Sequence, residues 1–550
     1  MTQTLPMHDV IIMGGGLAGL TLALQLRQRF PDIDVLVLER RAHPVPHAAH
    51  KVGESSVEIG AHYFDTVLGL QGHMDSAQLR KFGFRFFFSE GRHDIENVTE
   101  IGASRYLSTP SYQIDRGIFE NHLGQVARAR GVHFVDHALV RQIALSEDNG
   151  LHRIAWREGE GANARTQEAE CRWLVDACGR AGLLKRKLGL AQDNDHHAHA
   201  VWFRIGERIT LDEWSQDADW RARCQPQARW LSTNHLVGTG YWVWLIPLAS
   251  GSHSVGIVAD PALHPLDTMD SFDKAMDWFR TWQPRLFDAL DGQRHLLQDF
   301  MFLRKFSYGC KQVFSDQRWA LTGEAGLFLD PFYSPGSDFI AISNSYICDL
   351  VAHDRDGRSL RARAQLYDQI YHSFYESTLA LYEGQYPLFG DPEVLPVKVI
   401  WDYTYYWGVL SQIFFQERLT DLATLGLLRE ELQHAQQLNR AMQALLRAWS
   451  AHTDKANAAC MLDQAALPWF ATLNASLRQP RDDTPAFLAR LHACIAQLRT
   501  LAHQIHAHAC QAHPALAAEP PGQAMARLLA LPLARVPVNR SAEPMLFAVD

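Results

Sequence analysis

His8-Asp9-Val10-Ile11-Ile12-Met13-Gly14-Gly15-Gly16-Leu17-Ala18-Gly19-Leu20 decides how the chain folds. The apolar run His8–Met13 has the length and composition of a buried strand. Gly14, Gly16 and Gly19 stand at G-x-G-x-x-G spacing, and Leu17, Ala18 and the residues to Phe30 read as a helix that stops before Pro31. Ile33-Asp34-Val35-Leu36-Val37-Leu38-Glu39 is a second apolar strand, with Glu39 and Arg40 at its tip. Strand, glycine turn, helix and strand predict a parallel βαβ unit with a right-handed crossover. Glycines at this spacing let the backbone approach a pyrophosphate at the helix N-terminus, and an acid at the next strand tip suits a ribose hydroxyl. The choice at this point is FAD or NAD.

Two later segments favour FAD. Trp173–Arg180 (WLVDACGR) is a strand ending in Asp-x-x-Gly, and Ala320–Gly326 (ALTGEAG) is another ending in Gly-acid-Ala. Three such segments in this order are the signature of flavoprotein hydroxylases and their relatives. Gly323 and Glu324 stand where the last segment commonly reads Gly-Asp, so the carboxylate is one methylene longer.

Outward from these segments the pattern changes. Short β-like runs (GFRFFF, HFVDHALVRQIAL, HRIAWREG, YWVWLIPLASGSHSVGIV) mark the region from roughly 83 to 250 and predict an antiparallel sheet interleaved with the first domain. From about residue 355 the spacing turns helical, and the tail from Pro514 reads as irregular. The expected fold class is α/β (α+β): an FAD-binding Rossmann-like βαβ domain, an interleaved antiparallel sheet and a helical C-terminal region. The expected division is a core over 1–390 and a helical substrate-side region over 391–550.

Composition leaves an enzyme or a large binding protein. The 550 residues are 47% hydrophobic and 21% charged, with a net charge of −9 and no run of Lys and Arg, which argues against a nucleic-acid partner. No stretch of apolar residues is long enough for a membrane span. The eight cysteines show no C-x-x-C pair and read as buried thiols of a cytoplasmic protein. His503, His506, His508, Cys510 and His513 cluster near the end, but no acid completes a metal set, so no metal is expected.

The chain resembles the flavin-dependent halogenases, the family of tryptophan, phenol and carrier-bound pyrrole halogenases. Trp242-Val243-Trp244-Leu245-Ile246-Pro247 matches that family's W-x-W-x-I-P, and Lys51-Val52-Gly53-Glu54-Ser55 its V-G-E-S segment beside the flavin. Arg80-Lys81-Phe82-Gly83 matches the position of its essential lysine, and Gln113-Ile114-Asp115-Arg116-Gly117 the start of a flavin-contacting helix. Asp330-Pro331-Phe332-Tyr333-Ser334-Pro335-Gly336 falls at its halide loop. The resemblance covers roughly the first 350 to 390 residues.

The resemblance implies that reduced FAD and O₂ oxidise halide, bromide or chloride, to hypohalous acid, which Lys81 delivers to an aromatic carbon. Lysine suits this because an ammonium donates hydrogen bonds to the acid and an amine forms a haloamine. Cofactor contacts are expected at Gly14, Gly16, Leu17, Ala18, Gly19, Glu39, Arg40, Lys51, Gly53, Glu54, Arg116, Gly323 and Glu324. Halide is expected at Ser334, Pro335 and Gly336. Trp242 and Trp244 are expected to separate the flavin and substrate chambers, although a buried aromatic strand explains them equally. No second G-x-G-x-x-G is present, so FADH₂ is expected from a separate NAD(P)H-dependent flavin reductase. Tyr333 stands where tryptophan halogenases carry a glutamate. The expected substrate is therefore an electron-rich phenol or pyrrole of secondary metabolism, as a small molecule or tethered to an acyl-carrier protein. The alternatives are a halogenase-like flavin monooxygenase or oxidase that uses no halide, and a non-catalytic flavin-binding component.

Overall fold

The computed structural model describes residues 5–47, 52–147, 150–159, 161, 164–531 and 546. The chain forms two compact units, each built from three separated segments. The first comprises residues 1–78, 114–195 and 307–375. The second comprises residues 79–113, 196–306 and 376–550.

The first unit carries a seven-stranded sheet. Met7–Met13 pairs in parallel with Val35–Leu38 on one side and with Arg165–Asp176 on the other. His133–Val135 and Trp319–Leu321 extend the parallel part. The helix Leu17–Arg29 leaves the glycine turn and ends in Arg27 and Arg29, cations that suit the negative end of its dipole. The strands Ala138–Ala144 and His152–Glu158 belong to this sheet and not to the companion sheet. The cause is the 12-residue length of Arg165–Asp176: its first half pairs antiparallel with His152–Glu158 while its second half pairs with Met7–Met13.

The second unit carries an eight-stranded sheet in the order Leu297–Leu303, His199–Ile205, His253–Ala259, Tyr241–Pro247, Thr233–Gly238, Phe84–Phe87, Glu100–Gly102, Met461–Asp463. It is mostly antiparallel, with parallel pairing of Thr233–Gly238 to Phe84–Phe87 and of Met461–Asp463 to Glu100–Gly102. Because side chains alternate along a strand, Tyr241, Val243 and Leu245 share one face. They pack with Met276, Phe279, Leu286 and Leu290 of two covering helices, Phe272–Trp282 and Pro284–Asp291. Trp242 and Trp244 therefore face the other way.

The C-terminal helices include Arg429–Ser450 and the 29-residue Thr484–Ala512. The tail is more regular than its Pro/Ala content suggests, because Pro514 and Pro520 open a short turn and the helix Pro520–Ala530, positions where a missing N–H costs nothing. Five cysteines are buried, whereas Cys178, Cys460 and Cys510 are partly exposed. Cys510 Sγ lies 3.6 Å from His506 Nε2. No helix among the described residues is long and apolar enough to cross a membrane.

Candidate active site

In the first unit the glycine turn is shaped by close approaches. Gly14 has φ +109°, and a methyl there would sit 2.3 Å from the Ala177 carbonyl oxygen. A methyl on Gly19 would sit 2.0 Å from the Gly14 carbonyl oxygen. Gly16 differs: it is the N-cap of the helix, without a side-chain cap, and a methyl there would meet nothing within 4 Å. Leu17 and Ala18 are buried behind it, and no acid stands in the first turn. The turn thus keeps open space beside a helix N-terminus, as a pyrophosphate needs.

Glu39 braces the turn. Its two carboxylate oxygens accept from Gly15 N–H at 2.7 Å and Arg41 N–H at 2.8 Å, each leaving a lone pair for a further donor. Arg40 is exposed. Lys51 lies outside the described residues. Gly53 adopts φ +85° beside Arg116, whose guanidinium donates to the Val52 carbonyl and pairs with Glu120, both at 2.6 Å. The backbone oxygen of the buried Glu54 accepts from Ile114 N–H at 2.7 Å. Gly323 has φ +58°, and a methyl there would sit 3.0 Å from Ala18 Cβ, so the two glycine segments pack together. The Glu324 carboxylate pairs with Arg180 at 3.0 Å. Asp176 accepts from the Cys178 and Leu184 amides, and burial pushes its carboxyl above the usual range. These residues fit a dinucleotide such as FAD: an open helix N-terminus and a carboxylate at the strand tip.

The Asp330–Gly336 loop belongs to the same unit. Asp330 caps the Pro331–Tyr333 turn through Phe332 N–H at 2.9 Å. Ser334 then takes the left-handed conformation (φ +53°), Pro335 is the N-cap, and Gly336 opens the 20-residue helix Gly336–Arg355. Pro335 offers no N–H. Asp338, an anion two residues beyond Gly336, is turned away: its carboxylate accepts from Gly60 N–H at 2.8 Å.

In the second unit Lys81 follows the strand Leu79–Arg80 and is 3% exposed. It is a buried lysine, not a surface one. Its Nζ lies 3.2 Å from the centroid of the Phe84 ring, a cation–π contact. The backbone around it is clamped. Lys81 N–H donates to Ser111 at 2.8 Å, Phe82 N–H to Leu231 at 3.0 Å, and Ser232 Oγ to the Phe82 carbonyl at 3.1 Å. Beneath this segment Arg85, Arg229, Glu100 and Asp212 form a buried network of two cations and two anions.

Phe84 is one end of an aromatic strip. Its centroid is 5.4 Å from His235, which stacks on Phe86 at 4.6 Å and lies 5.3 Å from Trp242. Trp242 is 5.7 Å from Trp244 and donates its indole N–H to the Tyr386 hydroxyl at 3.2 Å. On another side Phe84 meets Tyr403 at 6.0 Å, and Tyr403 meets Trp407 at 4.7 Å. A buried amine at the head of a strip of buried rings can polarise or carry an electrophile among aromatic walls.

The chain matches the family model described as tryptophan halogenase over residues 101–386, and that described as NAD(P)-binding Rossmann-like domain over residues 12–76. The chain belongs to the tryptophan halogenase family. It is an FAD-dependent enzyme of the halogenase type, a class that uses halide. Lys81 lies between the two matched spans. The flavin-dependent halogenase chlA of Dictyostelium discoideum is 24% identical over 438 residues, covering 74% of this halogenase and 71% of that one. A 1H-pyrrole-2-carbonyl peptidyl-carrier-protein chlorinase of Pseudomonas fluorescens is 24% identical over 348 residues, covering 60% and 72%. Among solved structures, halogenase PltM superposes with a TM-score of 0.61 at 17% identity, covering 90% of this chain and 96% of that one, a likeness of fold.

Sequence reasoning singled out Lys81, Trp242 and Trp244 in this halogenase but missed the residues that join them: Phe84, Phe86, His235 and Tyr386. Period-two alternation in Gly83-Phe84-Arg85-Phe86 was the available signal for the two phenylalanines. His235 and Tyr386 carry none, because only strand register and packing place them. The aromatic stretch Trp401–Trp407 divides between two faces of its helix. Trp401 donates to Asn439 inside the helical packing at 3.0 Å, and it is Tyr403 and Trp407, four residues apart on one helix face, that reach the strip.

Proposed function

We propose that this halogenase installs bromine or chlorine on an electron-rich phenol or pyrrole, free or carrier-bound, with Lys81 as the halogen-delivering residue. The observation that carries this reading is the burial of Lys81 with its amine over Phe84, at one end of the strip running to Trp242 and Trp244. Burial penalises a lysine's charge, so an amine held 3.2 Å from the centroid of a buried ring stands where its environment can tune it for chemistry.

The turn Gly14–Gly19 with Glu39 would hold the FAD pyrophosphate and ribose, and Gly53, Glu54, Arg116, Gly323 and Glu324 would line the rest of the cofactor. When bound and reduced, FAD with O₂ supplies the oxidising equivalents that convert halide to hypohalous acid. The Lys81 ammonium donates a hydrogen bond to that acid. As an amine, Lys81 exchanges an N–H for N–X and releases water; the ring then takes X, and its displaced proton leaves as the amine is restored. The aromatic strip excludes water, which protects the electrophile from hydrolysis. The helical region over 391–550 contributes Tyr403 and Trp407 to this surface. Tyr333, in place of a carboxylate, fits a ring reactive enough to lose its proton without a dedicated base. The pyrrole specificity of the relative named above supports the same class. A separate NAD(P)H-dependent reductase would supply the reduced flavin.

Pro335 favours a second reading, oxidation with weak or no halide use, because it removes one amide donor from the loop. An assay with FAD, a flavin reductase, O₂ and bromide or chloride over phenols and pyrroles, read by mass spectrometry, separates the two. Halogenated product supports the first reading. Hydroxylated product alone, unchanged by halide, supports the second.

A further inference from the structure

We infer that the carboxylate of Asp115 is a ligand of the bound flavin, accepting hydrogen bonds from its hydroxyl or ring N–H donors. The inference rests on the reading of the first unit as the FAD site. Asp115 is 0% exposed, and neither carboxylate oxygen has a hydrogen-bond partner among the described residues. A buried carboxylate without donors is costly, so its place in the fold calls for a donor that the described residues do not supply.

Its surroundings make the omission conspicuous. Asp115 is the N-cap of the 14-residue helix Arg116–Ala129, where an Asp ordinarily accepts an amide of the first turn, yet it caps nothing here. Three other buried acids of the same unit have donors: Asp176 from two amides, Asp338 from Gly60, Glu120 from Arg116. The Asp115 backbone is fixed by its own N–H, which donates to the side chain of the buried Gln78 at 2.7 Å. Both flanking residues reach the Val52–Glu54 segment, Ile114 through its amide to Glu54 and Arg116 through its guanidinium to Val52. The orphaned carboxylate is thus held rigidly beside the segment proposed to line the flavin.

The test compares wild type with Asp115→Asn and Asp115→Ala in two measurements. One is FAD affinity, by quenching of flavin fluorescence on titration of the apoprotein. The other is thermal stability of the apoprotein. The expected result is that both variants lose FAD affinity by about ten- to a hundredfold, as for a lost bond to a charged acceptor. The apoprotein melting temperature should rise in Asp115→Asn, because the uncompensated charge is gone. A residue that only caps the helix gives the opposite pattern: Asp115→Asn neutral in both measurements and Asp115→Ala less stable. FAD affinity within twofold of wild type in both variants overturns the inference. Failure of the underlying reading looks different. Wild type would then bind no FAD, or Gly16→Val, which has room for its side chain in the apoprotein, would bind FAD as well as wild type.

Discussion

Lys81 and Pro335 concentrate the chemistry at the scale of single residues. Lys81→Met keeps an unbranched apolar side chain over Phe84 and removes the amine. FAD binding and halide oxidation should survive, while halogenated product falls by at least about a hundredfold, the lower range for a positioned proton-transferring group. Free hypohalous acid should then appear in a chemical trap. Undiminished product from Lys81→Met would remove this lysine from the mechanism. Pro335 sits at φ −74° and ψ −7°, a conformation serine adopts freely, so Pro335→Ser restores an N–H without strain. Halide affinity should tighten by about ten- to a hundredfold, the worth of one bond to an anion. A wild-type enzyme already saturated at low halide, with no gain in the variant, would show that the missing amide does not matter.

Elements decide which face of an aromatic stretch serves the site. The helix Val394–Tyr405 runs on through a π-helical turn, Tyr406–Ser411, a local widening often found near functional positions. One face holds Trp401 against Asn439, next to the buried Lys398–Asp402 pair at 2.6 Å. Another holds Tyr403 and Trp407 toward Phe84 and Phe470. Trp401→Ala should therefore cost about 3–5 kcal/mol of stability, as for other large-to-small core changes. Tyr403→Leu should be milder in denaturant unfolding and should change KM for aromatic substrates more than FAD affinity. The reverse pattern would make Tyr403 part of the core and Trp401 part of the substrate surface.

At the scale of the whole molecule, stability should depend on pH through buried histidines. His253 is fully buried, with its imidazole pushed down to about 3, and its Nδ1 accepts from the Ile209 amide. His199, 2% exposed, is pushed down to about 4, again chiefly by burial. The folded protein binds these protons less readily than the unfolded chain, whose histidines titrate near 6.5. Their contribution is complete above about pH 6.5 and is lost as pH falls toward 4, at up to about 3 kcal/mol per pH unit for the pair. Denaturant unfolding at pH 7.5, 6 and 5 reads this slope, and His253→Gln should flatten it. A stability independent of pH across that range would show that neither imidazole stays neutral in the fold.

What the sequence alone determined is what short stretches of chain can specify. The glycine turn, its strand and its helix are contiguous, and their geometry follows from apolar periodicity and from positions where a Cβ would collide with backbone. Lys81 and the Trp242–Pro247 strand were legible as residues for the same reason. Their meeting was not. Lys81, His235, Trp242, Tyr386 and Tyr403 are far apart in the chain, and only the register of an eight-stranded sheet and the packing of a distant helix bring them to one strip. Composition could not assign the strands Ala138–Ala144 and His152–Glu158 to the correct sheet, because a β-run carries its own alternation but not the identity of its partner. Nor could it single out Asp115 from the other acids. Whether a carboxylate is paired depends on every donor the tertiary structure places around it, and none of those is written beside it in the chain.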